Sequence, residues 1–329
     1  MKKCGLNGHA ITKTAITEDY FMLDGGSAVD IYFDTSFLLN YLMKQQKGIW
    51  ERPPGGMQIR IPLEYDGQVA EWYTKGSTVS SDDRENVNAA VYEWKHSYGN
   101  ATVYRIDQLK NSGEYAEVQL VTQRLGSAQK SLTKLLADSI YDLPAANSAR
   151  LTGLRACCNE TTTTAYGGIA EDDLVAADGT KPWEGKMTST TTALSLNILR
   201  TARSAAKIRD GANGKPDLIV TTETNWNTIA DILQAQQRFT DGKETAKAGF
   251  TGLWFEGAEI FPDDYCPASH LFALNSKHIG FAIHQKGYFM RSKWEKIPDS
   301  PEDKTMKIYW DGNMVVNNRK AHQGYSAIS

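Results

Sequence analysis

Hydrophobic and polar positions alternate most cleanly between Met57 and Asp66, where Met57, Ile59, Ile61, Leu63 and Tyr65 interleave with Gln58, Arg60, Pro62, Glu64 and Asp66. A period of two predicts a strand with one wet face. Pro62 has no amide to donate, which assigns that strand to a sheet edge. A polar span over 67–88 follows, holding Gly76 and the charged run Asp82, Asp83, Arg84 and Glu85. Beyond it Val91, Tyr92, Trp94, Val103, Tyr104 and Ile106 read as returning strands. The expected element is a pair of long strands joined by a mobile tip.

The period then changes. Leu120, Val121, Leu125, Ala128, Leu132, Leu135, Leu136 and Ile140 recur at threes and fours, which predicts a helix over 112–141. At 1.5 Å per residue it would span roughly 40 Å. Asn111 and Glu114 form a candidate capping box before it, and Pro144 closes it. An earlier helix is expected after Asp34 or Thr35 as cap, with Phe37, Leu38, Tyr41 and Leu42 on one face, ending near Gly48. Pro53, Pro54, Gly55 and Gly56 break the chain there. The first thirty residues lack any periodic pattern and read as an arm.

From 151 to 280 helices and strands of ordinary length alternate, as in a separate α+β unit. The spacing predicts a helix over 190–208 with Leu194, Ile198, Leu199, Ala202 and Ala205 inward, and a second over 226–239 with Ile229, Ile232 and Leu233. Strands are expected over 217–221, 271–274 and 279–283. Two hairpins are expected, one turning at Glu256-Gly257 and one at Asp311-Gly312 between strands 306–310 and 314–318.

Composition narrows the function. With 329 residues and 41% hydrophobic content the chain can build one large or two modest cores. Lys+Arg 36 against Asp+Glu 39 leaves no strong field to hold polyanions, which argues against sequence-specific DNA binding. No apolar run serves as a signal peptide or membrane span. Cys4, Cys157, Cys158 and Cys266 fit neither a disulfide framework nor a zinc site, so a reducing cytoplasm is the expected setting.

Catalytic motifs are absent: there is no H-E-x-x-H and no G-x-S-x-G. Gly211, Gly214, Lys215 and Pro216 imitate a phosphate loop with short glycine spacing and proline where Ser or Thr should bind magnesium, so they read as a surface turn. Tyr166-Gly167-Gly168 lacks the third glycine of a dinucleotide site and reads as a loop. His9, His96, His270, His278, His284 and His322 are unpaired at ligand spacing. Adjacent Cys157 and Cys158 read as a buried thiol pair, and the sequons at Asn100 and Asn159 carry no weight without a secretory signal. The expectation is no enzyme, no cofactor and no metal.

Certain stretches, taken in order, resemble the tailed-phage major capsid proteins with the Hong Kong 97 fold. They are Gly55-Gly56, Ile61-Pro62-Leu63 with Tyr65, Glu71-Trp72-Tyr73, and Ala90-Val91-Tyr92-Glu93-Trp94-Lys95. Asn111-Ser112-Gly113, Leu151-Thr152-Gly153-Leu154, Tyr166-Gly167-Gly168-Ile169 and Leu274-Asn275 complete the series. The resemblance covers nearly the whole chain and implies an α+β fold. Its expected parts are an N-terminal arm with a short helix over 1–54, an extended hairpin arm over 55–106, a peripheral domain over 107–150 and 284–329 with the long spine helix, and an axial domain over 151–283. It implies a subunit that assembles as pentamers and hexamers into an icosahedral shell, with scaffolding protein, portal, decoration protein and packaged double-stranded DNA as partners, no membrane, and a place in the virion capsid after assembly in the host cytoplasm.

Extended arms suit a subunit that grips several neighbours, because each buries area on another chain. Tyr65, Trp72, Tyr73, Tyr92 and Trp94 are the candidate inter-subunit contacts, since aromatic residues dominate interface energetics; the plainer reading has them stiffen the hairpin against its own sheet. Some family members crosslink a hairpin lysine to a neighbour's asparagine. Lys75 lies in that region with Asn317 or Asn318 as candidates opposite, a coincidence that chance explains. Lys44, Lys47 and Arg52 are candidates for non-specific DNA contact, against a solvated helix end. An encapsulin-like shell and a cytoplasmic α+β enzyme without a recognisable motif are the alternatives.

Overall fold

In the computed structural model the described residues are 36–43, 48–110, 120–143, 148–160, 165–208, 214–237, 253–298, 300 and 302–328. In chain order they form α1 (Phe37–Met43), β1 (Ile49–Glu51), β2 (Ile59–Glu64), β3 (Val87–Tyr92), β4 (Lys95–Val103), α2 (Arg105–Lys110) and α3 (Leu120–Ile140). Next come α4 (Leu154–Cys157), β5 (Met187–Thr188), α5 (Leu196–Ala205), β6 (Leu218–Thr221) and α6 (Glu223–Gln237). The remainder is strand: β7 (Leu253–Phe255), β8 (Ala258–Pro262), β9 (Leu271–Leu274), β10 (Ile279–Ile283), β11 (Met290–Arg291), β12 (Glu295–Lys296), β13 (Lys304–Val316) and β14 (Gln323–Tyr325).

The described residues form two compact units, one within 96–135 and 286–311, the other within 36–95, 136–285 and 312–328. In the first, β11 and β12 run antiparallel to the early part of β13, with Met290 opposite Tyr309 and Lys296 opposite Lys304. Ala101, Val103, Ala128, Leu132, Met306, Ile308 and Trp310 are its buried side chains. A Cβ at Gly99 would lie 2.6 Å from the Ala128 carbonyl oxygen, so glycine is what lets β4 lie directly on α3. The expected strand at Ile106 is instead α2: the Asp303 carboxylate accepts the Arg105 amide at 2.8 Å, as an N-terminal anchor does, and the Gln108 amide closes a turn on the Tyr104 carbonyl. Leu135, expected inward on α3, is exposed. The capping box at Asn111 and Glu114, and the arm over 1–35, lie outside the described residues.

The second unit holds a six-stranded sheet in the order β5-β14-β9-β6-β8-β7. Strand β6 is parallel to β8 and antiparallel to β9, and all four of its residues are buried. Ile198, Leu199 and Ala202 of α5 and Ile229 of α6 belong to the same apolar cluster as Ile219, Ile260 and Ala273 of the sheet. Helix α5 begins at Leu196 and not at residue 190, because Thr188 pairs with Tyr325 and Thr192 bridges to Ile328, which commits those residues to the sheet. The β7–β8 turn is as expected, with Glu256 at φ 49 and Gly257 at φ 86.

The expected hairpin at Asp311-Gly312 is absent, for both lie inside the thirteen-residue β13. A two-residue turn of the expected kind needs left-handed backbone at both positions, and neither has it. Each residue has a strand-like partner instead: the Asp311 amide donates to the Gly287 carbonyl, and Gly312 pairs with Ile283 of β10. Ser36 caps α1, where Asp34 or Thr35 was expected: its Oγ accepts the Leu39 amide at 3.3 Å. The buried Asp263 carboxylate accepts both Ser36 Oγ and the Leu38 amide at 2.9 Å, fixing the helix to the turn after β8.

Candidate functional site

Strands β2 and β3 form a sheet of their own, paired antiparallel from Ile59 opposite Tyr92 to Glu64 opposite Val87. Pro62 is tolerated because every strand of a two-stranded sheet has an open edge. The alternation read from the sequence survives in the burial of β2, which is exposed at Arg60, Pro62 and Glu64 and buried at Leu63. Pairing continues past the ladder. The Tyr65 amide donates to the Asn86 carbonyl at 2.9 Å, and the Tyr65 hydroxyl donates to Glu85 O at 2.7 Å. Gln68 imitates a ladder pair with its side chain, donating to Arg84 O at 2.9 Å and accepting from the Arg84 amide at 3.2 Å.

Beyond Gln68 nothing covers the chain, and residues 70–85 are exposed throughout. At the crown the Ser77 amide donates to the Thr74 carbonyl at 3.0 Å, with Gly76 at φ 86 supplying the left-handed position that a type II turn needs. Lys75 therefore sits at the outermost turn.

The root is fixed differently. Val91 donates its amide to the Gly167 carbonyl at 2.7 Å. Gly167 at φ 62 and Gly168 at φ 73 reverse the chain between Tyr166 and Ile169, which bond to each other through their main chains. A Cβ at Gly167 would lie 3.1 Å from the Ala90 Cβ, so this loop grips β3 closely. Behind it Arg319 is fully buried, donating to the carbonyls of Cys157, Trp183 and Ala156 at 2.9, 3.1 and 3.2 Å and lying over the Tyr166 ring. Nothing in the sequence pattern marks Arg319, because an Arg-Lys pair after two asparagines has the look of a surface turn.

The five candidate contact residues separate. Trp72 is fully exposed and Tyr73 is 76% exposed. Tyr65 and Trp94 are half-buried and brace the arm, Trp94 by donating Nε1–H to Gly56 O at 2.9 Å and by setting its ring edge-on to His284. Tyr92 is a correction. At 2% exposure its ring packs edge-on against Tyr166 and its hydroxyl donates to Val316 O at 2.7 Å, so it serves its own chain. Burial raises its pKa far above the usual tyrosine range.

Asn317 Oδ1 accepts from His278 Nδ1 at 2.7 Å, and Asn318 Oδ1 accepts the Lys320 amide, so each asparagine is engaged within its own chain. Arg52 donates to Gln285 O, while Lys44 and Lys47 lie outside the described residues, as does Gly211 of the imitation phosphate loop. Cys157, Cys158 and Cys266 are buried free thiols. Among the described residues no three His, Cys, Asp or Glu side chains gather as a metal would require, and no helix is long and apolar enough to cross a membrane.

No family model matches the chain, and no curated protein matches it. Solved structures do. The cyanophage A-1(L) capsid asymmetric unit aligns over 93% of this chain and 97% of that one, with a TM-score of 0.67 and 15% identity. The capsid of the native GTA particle aligns over 94% and 96%, with a TM-score of 0.62 and 10% identity. The holo-SrpI encapsulin complex from Synechococcus elongatus PCC 7942 aligns over 98% and 97%, with a TM-score of 0.57 and 9% identity. The α+β fold is thus that of the Hong Kong 97-like capsid proteins along almost the whole chain.

Proposed function

We propose that this chain is the major capsid protein of a tailed bacteriophage, a structural subunit that self-assembles into the pentamers and hexamers of an icosahedral shell around double-stranded DNA. The observation that carries the reading is the end-to-end match to phage capsid subunits, 97% of the cyanophage chain included. The arm adds physical support. A chain that folds for itself alone gains nothing from holding Trp72 and Tyr73 in water at the end of a braced hairpin, whereas a subunit with neighbours buries them on assembly. One surface that projects and another that receives make a heterologous contact, which closes into rings.

Scaffolding protein, portal and decoration protein are the further partners this role implies, with the virion capsid as location and the host cytoplasm as place of assembly. DNA contact is non-specific. Helix α3 supports it by carrying Arg124, Lys130 and Lys134 with no acidic residue before Asp138, a composition suited to phosphates. The role needs no catalysis. The encapsulin match, which spans 98% of this chain, supports a second reading as a compartment shell that packages protein cargo, and nucleic-acid content of purified particles separates the two.

Electron microscopy of the purified product tests the proposal: closed shells are expected. Deleting 68–85 should abolish them while leaving a folded subunit. Normal shells from that deletion would remove the arm from the assembly contacts, and a wild-type chain that remains a small oligomer under every scaffolding condition would overturn the shell reading.

A further inference from the structure

Beside the arm root lies a groove of about 610 Å³ within the second unit. Ile49, Trp50 and Glu51 of β1 form one wall and Ile59, Arg60 and Ile61 of β2 the other. Both strands show consecutive residues to the groove, although alternate side chains of a strand point to opposite faces. It therefore looks onto strand edges. Among the described residues β1 pairs only with β10, and β2 only with β3, so each leaves one edge for a further partner. Small buried side chains, Ala282 and Val315, make the floor. Trp94, locked by its bond to Gly56, adds a fixed aromatic surface.

The rim carries one charge of each sign. Neither Arg60 nor Glu51 has an ion-pair partner among the described residues. The arm tip carries the matching set: Glu71 and Lys75 flank the exposed Trp72 and Tyr73 and are likewise unpaired. Two aromatic rings between opposite charges thus match a groove of aliphatic residues mixed with Gln58 and Asn317, likewise set between two opposite charges.

The tip does not fill the groove of its own chain, for Trp72 is fully exposed and residues 70–85 are exposed throughout. That leaves the groove open to another molecule. A second copy is the one whose charges fit.

We propose that the groove between β1 and β2 receives Trp72 from the arm of a second copy, with Glu71 set against Arg60 and Lys75 against Glu51. The inference rests on the shell reading and deepens it by naming where the arm lands. A groove of this volume exceeds what one indole needs, which leaves room for Tyr73 along the open strand edge.

Charge exchange in the full-length chain tests it. Arg60→Glu and Glu71→Arg should each lower the yield of shells about tenfold, as for the loss of one strong interface contact. The double exchange should restore most of that yield, and Trp72→Ala should lower it as far as either single change. A thermal melt of the unassembled subunits monitors folding, since all three positions are exposed. Density for Trp72 in the groove of an adjacent subunit, in a shell reconstruction, would support the assignment directly. A double variant no better than the singles, or a reconstruction with Trp72 elsewhere, such as against α2 and α3 of a neighbour, overturns this inference and leaves the shell reading intact. A wild-type chain that forms no shells overturns both.

Discussion

Strands β2 and β6 are both short and apolar, and they do opposite things. Strand β6 is flanked by β8 and β9 and buried on both faces, so its Leu218, Ile219 and Val220 give their full transfer energy to the chain that carries them. Strand β2 has one partner and buries only Leu63, and it leads into a tip whose largest side chain is wholly exposed. One strand stabilises the subunit. The other leaves apolar area exposed, which under the proposed shell role a neighbour covers, so changes near β6 should act on folding and changes beyond β2 on assembly.

The largest effect that separates the two is expected at Arg319. Replacement by Met takes a donor from three buried carbonyls, of which that of Ala156 keeps the Asn159 amide, and should destabilise the subunit by about 3–5 kcal/mol in chemical denaturation, because one side of a buried polar network has been removed. An unchanged midpoint would show that water or a rearrangement replaces it.

Acid should act on the same body. His322 is fully buried and accepts the Asn275 amide, and burial, aided by His278, pushes its pKa down from 6.5 to about 3. The unfolded chain takes up the proton below pH 6.5 while the folded chain resists it until about pH 3. This contribution is complete above pH 6.5 and is lost as pH falls towards 3, on the order of 5 kcal/mol over the window. His322→Gln should flatten the dependence between pH 7 and pH 4; an identical slope in the variant would assign the acid response to other groups.

At the arm root, Gly167→Ala should cost about 1–2 kcal/mol, from left-handed backbone and the close Ala90 contact together. Because the loop grips β3, it should also lower shell yield, the one substitution here expected to move both readouts. At the tip, Trp72→Ala should change subunit stability by less than about 0.5 kcal/mol. A larger loss would mean that the indole packs on its own chain and that the contrast between the two strands is false.

The fold was legible where local pattern and tertiary partners agree. The alternation of 57–66 and the Glu256-Gly257 turn follow from backbone preferences that the surroundings do not oppose. Asp311-Gly312 has an equally strong turn signal, but Gly287 and β10 offer it partners on a continuous strand, and these lie 24 to 32 residues away in sequence, beyond any window of local reading. Ile106 was misread for the same reason: its helix is anchored by Asp303, 198 residues from Arg105. At the site, Trp72 and Tyr73 are exposed, as candidate contacts must be, and lie within the polar span that the sequence shows. Tyr92 was misassigned because composition cannot tell an aromatic residue that braces a root from one that waits for a partner; its neighbour Ala90, inward on the same strand face, carries that information only once the register is known.

The Gln68–Arg84 clasp is the last tie between the two sides of the hairpin before the turn at Thr74–Ser77, and from there the chain is a loop closed on a fixed base. Closing such a loop becomes harder only with the logarithm of its length, by about 0.6 kcal/mol for each doubling. Insertions and deletions at the crown are therefore nearly neutral for the individual molecule. The length of this segment is thus free to change without rebuilding the body that carries it.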